Sequence, residues 1–76
     1  NMRISPVPAH RVIVVDFEVI FEMSSYTIRD IQGRNVQKGH LLSGDKILLG
    51  NAIKLGIYTL EVQFDGGILR ENFIVH

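Results

Sequence analysis

The stretch "GIYTLEVQFDGGILRENFIVH", residues 56–76, constrains the fold more than any other part of the chain. Tyr58, Leu60, Val62 and Phe64 alternate with Thr59, Glu61 and Gln63. Period two sends these sets to opposite faces, as in a half-buried β-strand, whereas a helix would repeat every ~3.6 residues. Asp65 to Gly67 then reads as a turn. The returning run puts Leu69, Phe73 and Val75 on one face and Ile68 and Ile74 on the other, so it reads as partly buried on both sides. A hairpin with an apolar face is not stable alone and needs a second layer.

The same pattern continues upstream. In "YTIRDI", Tyr26 and Ile28 face one way and Thr27 and Arg29 the other. Asp30 to Arg34 reads as a turn, with Gly33 suited to the positive φ that a tight hairpin often needs. "RNVQKGHL" returns with Val36 on its buried side, "SGDK" turns again, and "KILLGNAI" carries the apolar run Ile47 to Leu49. Earlier still, "RVIVVDFEVIFEM" is rich in β-branched and aromatic residues, with Phe17, Val19, Phe21 and Met23 on one face at strand spacing. Pro6 and Pro8 hold "ISPVPA" extended, as a lead-in or edge segment. The expected fold is all-β: a small Ig-like antiparallel β-sandwich of about seven strands, at the roughly 8–12-residue spacing of such folds. Residues 1–76 make a single domain. The opening Asn1-Met2-Arg3 reads as an internal cut, so the domain is expected to be a fragment of a longer protein.

Composition excludes several chemistries. A hydrophobic share of 46% supports a core, and 8 basic against 8 acidic residues leave no net charge to attract nucleic acid or an anionic membrane. The absence of cysteine rules out disulfides and thiol catalysis. No apolar run approaches the ~20 residues of a spanning helix. His10, His40 and His76 have no ligand partner at metal-binding spacing, so they read as loop and terminal residues facing solvent. Asp16, Glu18 and Glu22 read as an exposed strand face rather than an acid–base pair. Ser24, Ser25 and Ser43 lack a nucleophile elbow, and no glycine sits in phosphate-loop spacing. The residues point to no catalytic site, no metal, no cofactor and no small-molecule substrate.

Three landmarks stand in order: "SPVPA", "IRDIQGRNV" and "LGIYTLEV", followed by "DGGILRENFIVH" at the end. Together they resemble the C-terminal sorting domain (type A) of proteins exported by the type IX secretion system of Bacteroidetes, also called the Por secretion system. The resemblance runs from Ile4 to His76. Pro6, Pro8 and Ala9 match the first landmark, in which Ser5 and Val7 replace the family's tyrosine and asparagine. Ile28, Asp30, Gly33, Arg34 and Val36 match the second, and Gly56, Ile57, Tyr58, Leu60 and Val62 the third. Phe73, Ile74 and Val75 match the aliphatic ending, with His76 where lysine is commoner.

The resemblance implies a non-catalytic export signal at the C-terminus of a larger cargo. Such a domain folds in the periplasm and is bound by the outer-membrane translocon. A sortase-like cysteine peptidase then removes it and attaches the cargo at the cell surface, or the cargo is secreted. The resemblance also makes the last strand, with Leu69, Phe73, Ile74 and Val75, the candidate recognition element. On the residues alone, Asp30 is expected to bond backbone N–H groups of its own turn and to pair with Arg34, and Tyr58 to bury its ring with its hydroxyl partnered. A neutral sandwich with open edges also allows a homodimer through edge strands. Two other readings are a retained, uncleaved domain of a secretion-machinery component and a generic adhesive or carbohydrate-binding sandwich.

Overall fold

A computed structural model describes residues 2–6, 11–17 and 24–76. Seven strands follow in order: β1 (Met2–Ser5), β2 (Val12–Phe17), β3 (Ser24–Asp30), β4 (Asn35–Leu41), β5 (Asp45–Leu48), β6 (Gly56–Phe64) and β7 (Gly67–Val75). They form two antiparallel sheets, one ordered β1-β2-β5 and the other β4-β3-β6-β7. An immunoglobulin constant-type sandwich keeps its fourth strand beside the fifth. Here β4 pairs with β3 instead, through a hairpin whose turn is the Asp30–Arg34 segment.

The core lies between the sheets and follows the alternation of the strands. Ile4, Ile13, Val15 and Ile47 face it from the three-stranded sheet. Tyr26, Ile28, Leu60, Val62, Phe73 and Val75 face it from the other, and Leu49 and Ile53 fill it from the β5–β6 connection. Crossing between sheets is rapid after β4. Leu42 N–H donates to Asp45 Oδ2 at 2.7 Å and Asp45 N–H returns a bond to Leu42 O at 3.0 Å, closing a turn that carries the chain from one layer to the other. Gln37 then ties the layers side by side. Its Nε2 donates to Tyr26 Oη at 3.0 Å and to Leu48 O at 3.1 Å, and its Oε1 accepts from Gly50 N–H at 2.8 Å.

Two expectations change. The last strand is buried on one face only: Phe73 and Val75 enter the core, while Ile68 and Ile74 stand exposed on the outer face, which no other layer of the described residues covers. His40 is not in a loop but within β4, on the solvent side. Val36 packs against the core as read, half-buried, near a register shift between Ile28 and Arg29. Glu18, Glu22, His10 and the face formed by Val19, Phe21 and Met23 lie outside the described residues.

Candidate recognition surface

The second landmark is a hydrogen-bonded turn. Asp30 ends β3, and its Oδ1 accepts the N–H groups of Gln32 at 2.9 Å and Arg34 at 3.0 Å. Its Oδ2 accepts Arg34 Nε at 2.8 Å. Gly33 N–H donates to Asp30 O, and Asp30 N–H to Arg34 O, both at 3.0 Å. Gly33 has φ of +84°, a conformation that costs a side-chain-bearing residue about 1–2 kcal/mol. The Arg34 N–H bond, together with the Arg34 guanidinium and the Gln32 N–H, holds the Asp30 carboxyl below its ordinary pKa against the opposing push of desolvation. Arg34 itself is exposed.

The third landmark sits beside it. Tyr58 is buried at the start of β6, directly opposite Asp30 on β3 and Phe73 on β7. Its ring lies 6.0 Å from that of Phe73, centroid to centroid. Its hydroxyl accepts Lys54 N–H and donates to Lys54 O, both at 3.0 Å. A buried tyrosine thus clips the loop that precedes its own strand, in the manner of the tyrosine corners of Ig-like sandwiches. Gly56, at φ +152°, opens β6 against Val75, and Ile57 lies opposite Ile74.

Tertiary structure therefore gathers what the chain separates. The end of β3 with its turn, the start of β6 and the end of β7 meet at one end of the four-stranded sheet. Pro6 is exposed just after β1, and Pro8 and Ala9 lie outside the described residues. Of the four candidate recognition residues on β7, Phe73 and Val75 belong to the core, and Leu69 is half-buried against it. Ile74 is 46% exposed and pairs with Ile57, itself 54% exposed. That apolar pair lies on the outer face, and β7 is the edge strand of the sheet among the described residues.

The outer face holds one cluster that the sequence reading missed. Glu61 is only 4% exposed although it lies on the polar side of β6. Its Oε1 pairs with Arg29 Nη1 at 2.9 Å and its Oε2 with Arg70 Nε at 2.7 Å, so one carboxylate links β3, β6 and β7. The Arg29 and Arg70 bonds hold its pKa below the ordinary value despite desolvation. Arg70 lies directly opposite Glu61 in the register, while Arg29 reaches it diagonally, so only the pairing of the strands identifies the cluster.

The sequence profile of a secretion system C-terminal sorting domain matches residues 3–76. The chain belongs to this family. It is a type IX sorting domain, and that membership makes it a signal for export across the outer membrane, toward the cell surface or into the medium. Among curated proteins, none matches the sorting domain. Two of its three landmarks and its terminal strand are the parts that the fold brings together.

Proposed function

We propose that this sorting domain is a non-catalytic address. It rides at the C-terminus of a cargo, folds in the periplasm, and is bound there by the outer-membrane translocon. A sortase-like cysteine peptidase then removes it and joins the cargo to the surface. The observation that carries this reading is the convergence of the Asp30–Arg34 turn, the Gly56–Tyr58 start and the Phe73–Val75 end at one end of a sheet. There β7 is the edge strand of its sheet among the described residues, and Ile57 with Ile74 offers apolar surface. An edge strand recognised by main-chain pairing, with side-chain contacts for specificity, is a common mode of segment recognition.

Fusion of residues 1–76 to a periplasmic reporter in a type IX-competent host tests the reading. Export of the reporter to the surface or medium is expected. A reporter that stays periplasmic, while an established sorting domain exports it, would end the proposal. Cleavage is tested in the same cells by mass spectrometry of the exported reporter: the domain should be absent from it.

A further inference from the structure

The outer face of the four-stranded sheet carries a second feature, at the other end of β6 from Ile57. In the first half of β3 the outward side chains are small, Ser25 and Thr27, before Arg29. Lys38 and His40 flank them on β4, opposite Thr27 and Ser25 respectively. Gln63 flanks the other side from β6, opposite Ser25. Low side chains on a middle strand between longer ones leave a depression of about 480 Å³, within the size of small-molecule sites.

The chemistry of its lining is one-sided. The ion pairs among the described residues join Arg29 and Arg70 to Glu61 and Arg34 to Asp30, so neither Lys38 nor His40 has a carboxylate partner there. Glu61 neighbours Thr27 across the strands, but two guanidiniums meet its single charge and leave that cluster positive. The depression therefore presents an ammonium, an imidazole, two hydroxyls and a carboxamide, with Tyr26 and Gly39 completing its lining. Gln63 gives one N–H to Glu61 Oε1 at 3.3 Å and keeps a second. A lysine binds phosphate as a point charge, and hydroxyl and amide donors around it can serve the several acceptor oxygens of that group.

We propose that this depression binds a phosphate group, free or as a monoester of a small molecule. The proposal does not depend on the export reading. It is tested by titrating the 15N-labelled chain, followed by NMR, with inorganic phosphate at constant ionic strength. The amides of Ser25, Thr27, Lys38, His40 and Gln63 are expected to shift together and saturate in the millimolar range. Acetate should bind about tenfold more weakly, and glucose 6-phosphate about as well as phosphate, because the depression is open. Lys38→Gln should weaken phosphate about tenfold and leave the rest of the spectrum unchanged. Shifts spread equally over Arg3, Arg11 and Arg34 would overturn the site. So would equal response to acetate, loss of the monoester, or undiminished binding by Lys38→Gln.

Discussion

Tyr58 shows how one residue can serve both a family's pattern and its fold. Alternation alone puts its ring inward. The two bonds between its hydroxyl and the backbone of Lys54 depend on how the preceding loop folds back. Tyr58→Phe should keep the packing and lose both bonds, costing about 1–2 kcal/mol in urea unfolding. Loss of under ~0.3 kcal/mol would mean that water replaces them freely. Gly33 is a cleaner case, because a Cβ added there meets nothing within 4 Å. Any cost of Gly33→Ala is then backbone strain, expected at about 1–2 kcal/mol by the same assay. Gly39 differs: its Cβ would stand 2.6 Å from Tyr26 Cε2, a requirement of packing and not of φ. The Asp30 and Gly33 roles could be read from the sequence because their partners lie within four residues. The role of Gly39 could not, because Tyr26 meets it only across two paired strands.

At the scale of the element, the β6–β7 hairpin is where sequence reading succeeds and then fails. Period two on β6 identifies its buried face correctly at Tyr58, Leu60 and Val62. On β7 the apolar residues at even and odd positions look like two buried faces, yet only Phe73 and Val75 are buried. The outer face instead carries the Arg29–Glu61–Arg70 link, which fastens β7 to the sheet by charge. Glu61→Gln should cost about 1–3 kcal/mol at pH 7, since bonds to a charged group are lost and two arginines lose their partner. Because the folded-state pKa of Glu61 is lowered, its contribution is present above the unfolded value and lost as pH falls through the folded one. The stability gap between wild type and Glu61→Gln, measured by urea titration, should therefore be full at pH 7 and shrink below about pH 4.5. A gap constant down to pH 3 would show that the ionised carboxylate is not what matters.

For the whole molecule, folding and recognition share β7, and a test must separate them. Removing the terminus from Phe73 onward would delete two core side chains as well as any recognition surface. Phe73→Ala should cost about 3–5 kcal/mol, a large fraction of the stability of a domain this small, and should block export through unfolding. Ile74→Ser touches the outer face only and should cost under about 1 kcal/mol. If β7 is the recognition strand, Ile74→Ser in the reporter fusion should lower export at least several-fold while the domain still unfolds at nearly the wild-type urea concentration. Unchanged export with Ile74→Ser would remove that side chain from the recognition surface.

The sequence by itself determined the strand content, the turns, most inward-facing residues and the family, because each rests on short-range rules: period two, turn chemistry and ordered landmarks. Tertiary structure decided the rest. It placed β5 beside β2, buried Glu61 on a polar face, and left Ile57 and Ile74 exposed as a pair. It also set Asp30, Tyr58 and Phe73 in one row. The physical reason is register. Alternation assigns a residue to a face, but its neighbours on that face come from strands distant in sequence, and which strands adjoin is settled only when two sheets close over one core.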